Sequence, residues 1–241
     1  MLVIAMCVGL VLLGVAAVVK WGGLSIARSQ LTARDGGAQD RRLRLGTYAL
    51  IALVSGAGGG LLAAGAGGRI VMRVLAITSP DSADGQLTEA EAVIGDISFA
   101  GTLGLLGFTS LVLGVLTGAL YLLLCRWLPA GRLGGLVFGG LLLVLAGTRI
   151  EPLRAGNFDF NLVGPRWLAV LSFVWIVLFH GMIVAAIAGR LSHTRPLPGL
   201  RPASDIAGKR WSIAGRMALV VVVLIAVPGF VRAILDILRL A

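Results

Sequence analysis

Six stretches of the chain, roughly 1–19, 46–67, 99–124, 133–150, 167–189 and 217–238, are predominantly apolar. Each runs for about the 20 residues that a helix needs to cross a hydrocarbon core. In lipid every backbone N–H and C=O must be satisfied internally, so these stretches predict helices rather than open strands. Composition agrees: of 241 residues 58% are hydrophobic and 13% charged, about half the charge of a soluble domain. A single soluble core of this length does not hide so many apolar side chains. Disorder is excluded by the hydrophobicity, and a disulfide scaffold by having only two cysteines. The expectation is an all-α integral membrane protein, one polytopic domain over residues 1–241 built as a six-helix transmembrane bundle.

Charge sets its orientation. Lys20, Arg28, Arg34, Arg41, Arg42 and Arg44 lie between the first two stretches, Arg126 and Arg132 between the third and fourth, and Arg190, Arg195, Arg201, Lys209, Arg210 and Arg216 between the fifth and sixth. These connections lie on one side and hold 14 of the 21 basic residues, so the positive-inside rule makes them cytoplasmic. Both termini then face outward from a cell membrane. Seven of the eleven acids, Asp81, Asp84, Glu89, Glu91, Asp96, Glu151 and Asp159, fall on the opposite side. Trp21, Tyr48, Trp127 and Trp211 mark the inner boundary, Phe99 and Trp167 the outer one, as an interfacial belt does. The net charge of +10 thus reads as topology and attraction to anionic lipid headgroups. No aromatic-interleaved basic patch points to nucleic acid.

The first stretch has no basic start and no small-residue cleavage site before Lys20, so it reads as a retained helix rather than a removed signal. Cys7 and Cys125 are expected at opposite depths, too far apart for a disulfide, as packing residues. The 35 glycines recur at small-xxx-small spacing: Gly56-x3-Gly60-x3-Ala64-x3-Gly68, Gly114-x3-Gly118, Gly131-x3-Gly135-x3-Gly139 and Gly181-x3-Ala185-x3-Gly189. Such stripes let helix backbones approach closely. They predict a tightly packed bundle, and the same faces suit a membrane-protein partner or a homo-oligomer. Residues 59–70 (GGLLAAGAGGRI) and 139–150 (GGLLLVLAGTRI) match at eight of twelve positions. An internal duplication and chance in so biased a composition both account for that. Each segment ends with an arginine pair, Arg69 and Arg73 or Arg149 and Arg154.

The outer side is the more informative. An apolar pattern continues past Gly68 through Ile77, and Thr88-x-x-Glu91 has the form of a capping box. A helix from Glu89 to about Trp127 would run ~58 Å, far beyond the ~30 Å core. These features predict a helical hairpin over about 68–98, standing out of the membrane, with Arg73 near Glu91 or Asp96 and Arg69 near Asp96. Ion pairing and capture of an anionic ligand or lipid headgroup are both open to these arginines. An EF-hand reading of the turn fails at Pro80, which occupies the first ligand position. In the second outer loop Asn157, Asp159 and Asn161 alternate with Phe158 and Phe160, a pattern that fits an extended segment. Such a segment either tucks onto the bundle or covers a cleft beside the arginines.

Ionisable groups at membrane depth are functional candidates by default, and His180 is the one near a midplane. It reads either as a hydrogen-bonded packing residue or as a pathway residue. Arg232 and Asp236, four apart, are placed to pair near the outer end. Ser110, Thr109, Thr117 and Tyr121 on the third stretch read as interhelical hydrogen-bonding groups. No HExxH, GxSxG, P-loop or paired CxxC is present, and neither a cofactor nor a metal site is expected. The sequence points to a non-catalytic membrane protein that binds a membrane partner, lipid or anionic small ligand outside. Its candidate residues are Arg69, Arg73, Asp96, Arg149, Arg154, Asn157 and Asp159. A small secondary transporter or channel with His180 lining the pathway is the other reading.

Overall fold

The computed structural model describes residues 2–29, 38–89, 93–96, 98–149, 153–154, 156–198 and 206–239. The chain folds almost wholly into helices: α1 (Leu2–Trp21), α2 (Ala38–Gly59), α3 (Ala66–Thr78), α4 (Phe99–Phe108), α5 (Val115–Leu124), α6 (Arg132–Leu142), α7 (Asp159–Leu162), α8 (Arg166–Thr194) and α9 (Ile206–Arg239). A wider π-helical turn at Gly60–Gly65 joins α2 to α3, and another at Thr109–Gly114 joins α4 to α5. A third, Leu143–Gly147, closes α6. Two-residue strands, β1 (Arg28–Ser29) and β2 (Leu197–Pro198), form a short parallel ladder between the first and fifth connections.

Five helices are long and apolar enough to cross a membrane: Leu2–Trp21, Arg42–Thr78, Phe99–Leu124, Arg166–Thr194 and Ser212–Arg239. Their outward faces carry Leu12, Leu13, Leu111, Leu116, Trp175 and Ile225, each more than half exposed, which is the surface that lipid covers. The fourth expected span is shorter. Arg132–Leu142 and Leu143–Gly147 contribute 11 and 5 residues, ~24 Å of helix against a ~30 Å core.

α8 is central. It packs against α1, α2, α3 and α6, while α9 lies at the periphery. The glycine stripes do the close packing. A Cβ on Gly56 would overlap the Gly114 carbonyl oxygen, one on Gly118 the Ala52 carbonyl oxygen, and one on Gly60 the Thr109 carbonyl oxygen. Backbone therefore lies on backbone where α2 crosses α5. Gly181 meets α6 in the same way: its Cβ would stand 2.5 Å from Gly139 N and 2.6 Å from Gly135 O.

The two ends of the bundle differ. At the basic end Arg132 donates to Val19 O (2.9 Å), Ala27 N donates to Ser192 Oγ (2.9 Å), and the Arg126 guanidinium stacks over Trp127 at 4.7 Å. At the other, capped end, residues 79–89 and 93–96 are tied to residues 153–154 and 156–165 by bonds such as Gly164 N to Ser79 Oγ, 3.2 Å. Leu153 and Phe160, both essentially buried, sit with Leu75, Leu143, Val170 and Ile237 in one apolar cluster.

The hairpin expected over 68–98 is only half helical. Its first arm is present, as α3 continues to Thr78. The second is corrected: among the described residues no helix starts near Glu89, and Leu87 pairs with Val93 in an isolated antiparallel bridge. Gly85 and Gly95 hold positive φ, 78° and 89°, a conformation that breaks a helix. The helix begins instead after Ser98, whose hydroxyl accepts from Gly101 N at 3.1 Å. It ends at Leu124, before Trp127. The alternation 157–161 is likewise not extended: 159–162 is a helical turn, with Phe160 buried and Phe158 55% exposed.

Candidate functional site

Arg69 and Arg73 lie one turn apart on α3 and share a face. Both reach the segment that leads into α4. Arg69 Nε donates to Thr102 Oγ1 at 2.9 Å and Nη2 to Ser98 O at 3.4 Å. The Thr102 hydroxyl in turn donates to Ser98 O at 2.8 Å. Arg73 Nη1 donates to Gly95 O at 3.3 Å. Every acceptor is neutral. Arg69 is only 9% exposed, and removing a cation from water is costly unless it is paired.

The acids expected to neutralise these arginines do not do so among the described residues. Asp96 follows the Gly95 carbonyl, but it is exposed and forms no ion pair with Arg69 or Arg73. Glu91 lies outside the described residues. The ion pair that does form joins Arg154 to Glu89, both side chains well exposed. Around it the capped end is tied together. Glu89 N donates to Asp159 Oδ1 at 2.7 Å, and Asp159 N to Asn157 Oδ1 at 2.8 Å. Thr78 Oγ1 donates to Gly164 O at 2.9 Å. Arg154, Asn157 and Asp159 thus form a clasp that holds the second loop on the first.

Arg149 joins neither group. Its guanidinium turns back to Leu145 O on its own helix, at 3.1 Å, and is exposed. The arginines that close the two similar segments therefore differ, Arg69 being buried across α4 and Arg149 exposed. The expected set of seven residues divides into a cationic pair with Arg69 buried and Arg73 half-buried, a clasp, an exposed Asp96 and an outlying Arg149. Thr102 and Ser98, which seat Arg69, escaped the sequence reading. Their i, i+4 spacing at the start of an apolar run was the available signal.

His180 occupies a separate site, midway along α8 and 5% exposed. Its Nε2 lies 2.8 Å from Thr117 Oγ1, and the Thr117 hydroxyl donates to Gly114 O at 2.9 Å. Nδ1 is buried without a hydrogen-bond partner. It faces Gly59, where an added Cβ would stand 3.2 Å away. Of the polar residues on the third stretch, Thr117 makes the interhelical bond, whereas Thr109 bonds to Leu105 O on its own helix. Tyr121 meets Phe138 edge-on at 5.1 Å, and Ser110 Oγ is buried without a partner. Arg232 and Asp236, both exposed, form no ion pair with each other among the described residues.

Among the described residues no three His, Cys, Asp or Glu side chains converge as a metal site. Comparison with protein-family models, curated proteins and solved structures finds no match for the chain.

Proposed function

We propose that this chain is a six-span membrane protein whose outward, capped end binds an anionic group at Arg69 and Arg73, and that binding rather than catalysis is its role. The observation that carries this reading is the cationic pair itself: two guanidinium groups a turn apart, donating to neutral oxygens, with no carboxylate paired to either among the described residues. Such a pair retains its positive charge and its geometry for an anion.

The six-span topology is supported by the course of α6. Its neighbours in sequence lie at opposite ends, Leu128 in the cluster with Ile51 and Leu197, and Leu153 in the cluster with Leu75 and Phe160. A ~24 Å helix crosses by locally thinning the bilayer. The basic loops then face the cytoplasm, and both termini and the cap face outward.

The test is retention of lipid by the purified protein. Wild type and Arg73→Gln are equilibrated in detergent with equal phosphatidylglycerol and phosphatidylcholine and examined by native mass spectrometry. Selective retention of phosphatidylglycerol by wild type, lost in Arg73→Gln, supports the site. Equal retention by the two proteins overturns it.

A second reading rests on His180, a buried imidazole with one bare nitrogen beside two π-helical turns. Such turns are frequent at functional sites. It makes the chain a small transporter or channel. Proton flux into proteoliposomes, abolished in His180→Leu, supports that reading, and absence of flux in wild type opposes it.

A further inference from the structure

We infer that the outward face of α9 seats a second copy of this chain within the membrane, with Arg232 of each copy paired to Asp236 of the other across a two-fold axis along the membrane normal. The contact lies on a helix that takes no part in the anion site and stands independently of it.

α9 leaves most of itself uncovered. Only 6% of its apolar window is buried, against 22% or more in the other four long apolar helices. Its inner stripe is Ala226, Phe230, Ala233 and Ile237, buried or packed against the bundle at alternating intervals of four and three. On the side turned away, Leu224, Pro228, Arg232 and Asp236 recur every fourth residue and form one ridge. Every one of them is exposed.

Two opposite charges on that ridge are out of keeping with a surface that lipid covers. Ile237 lies in the apolar cluster with Leu153, Phe160 and Val170, and Val170 is itself three residues inside Trp167. Arg232, five residues before Ile237, therefore stands ~7.5 Å deeper still. Charges at such depth pair with one another or face a protein interior. Among the described residues neither Arg232 nor Asp236 forms an ion pair. Pairing within the helix would set the basic residue before the acidic one, the weaker of the two i, i+4 orders. Pro228 adds a further polar group to the ridge, because it has no N–H for the Leu224 carbonyl.

A second copy is the occupant that this surface matches best, because the ridge is complementary to itself. A two-fold axis sets Arg232 opposite Asp236 twice over and leaves no charge unpaired. The two positions differ in height by one helical turn, ~6 Å, a step that the long arginine side chain spans as it extends toward the outer surface.

The experiment mixes differently labelled copies of the full chain in phosphatidylcholine liposomes and follows energy transfer between them as the protein is diluted in the bilayer. The samples are wild type, Arg232→Asp, Asp236→Arg, and an equal mixture of the two variants. Wild type is expected to associate. Each variant alone sets like charges together across the axis and is expected to associate at least about tenfold more weakly. In the mixture an acidic copy meets a basic one, and association is expected to return to within about threefold of wild type. Pairing inside one helix, or with lipid headgroups, gives no such rescue between chains. A wild type that stays monomeric, a variant that associates as tightly as wild type, or a mixture no tighter than its parts overturns the inference.

Thermal unfolding checks the fold of each variant, and cysteine crosslinking tests the same contact with no charge reversed. In a Cys7→Ala, Cys125→Ala background, Gly229→Cys places a side chain in open space one turn before Arg232. It is expected to give a disulfide-linked dimer with copper phenanthroline, whereas Gly9→Cys, equally open on α1, is not. No dimer at Gly229→Cys, or equal crosslinking at the two positions, overturns the assignment to α9.

Discussion

Replacing Gly56 with alanine adds one methyl group to the α2–α5 crossing, and the geometry specifies what that methyl meets. It would overlap the Gly114 carbonyl oxygen, stand 2.6 Å from the Gly114 carbonyl carbon and 3.0 Å from Gly118 N. Ordinary carbon–carbon contact is ~3.5 Å or more, so the helices must separate by about 1 Å. All three obstacles are backbone, and no side chain can rotate aside. Overpacking of this kind costs ~1–3 kcal/mol, here at the upper end, offset by up to ~1 kcal/mol of alanine's helix propensity. The net loss is about 2 kcal/mol.

For a chain of this size each kcal/mol moves the midpoint by ~2–4 °C, which gives a fall of roughly 4–8 °C for Gly56→Ala. Gly104→Ala is the internal control: nothing lies within 4 Å of its Cβ position, so its midpoint holds or rises slightly. The assay is thermal unfolding in one detergent, followed by tryptophan fluorescence. A Gly56→Ala midpoint within about a degree of wild type, or an equal fall in Gly104→Ala, would refute the argument that backbone contact sets this crossing.

Thr117→Val removes the partner of His180 Nε2 (2.8 Å) and leaves a buried ring nitrogen unsatisfied, so thermal unfolding should show a loss of ~1–3 kcal/mol. The Arg154–Glu89 pair is well exposed, with side chains 38% and 42% accessible. A double-mutant cycle should therefore give a coupling below ~1 kcal/mol that shrinks further at high salt. Orientation is checked by cysteine labelling in a Cys125→Ser background. Exposed Ser82→Cys should react with a membrane-impermeant maleimide in intact cells, and exposed Thr194→Cys only after permeabilisation.

Helix positions were legible in the sequence because lipid imposes one simple condition, an apolar run of sufficient length. The run 99–124 coincides with the helix Phe99–Leu124. The small-xxx-small stripes also marked faces that pack closely, as at Gly56 and Gly114, though not which helices cross. The cap was harder to read. Thr88 and Glu91 have the spacing of a helix start, but Gly85 and Gly95 at positive φ turn the chain back before α4, and Ser98 makes the cap instead.

Charge partners were harder still. The register of a helical hairpin suggested Arg69 with Asp96, yet Arg69 reaches across to Thr102 and Ser98, and Glu89 finds Arg154 from the other loop. Long flexible side chains meet according to how loops dock, which one-dimensional spacing does not encode.

The central claim is that Arg69 and Arg73 hold positive charge for an anion outside the protein's own side chains. A high-resolution map of the protein in lipid nanodiscs containing phosphatidylglycerol tests it most directly. The account predicts headgroup density within hydrogen-bonding reach of Arg73, with Arg69 still on Thr102 and Ser98. A carboxylate of the chain itself, Asp96 or Glu91, closing on both guanidinium groups with no lipid beside them would contradict it.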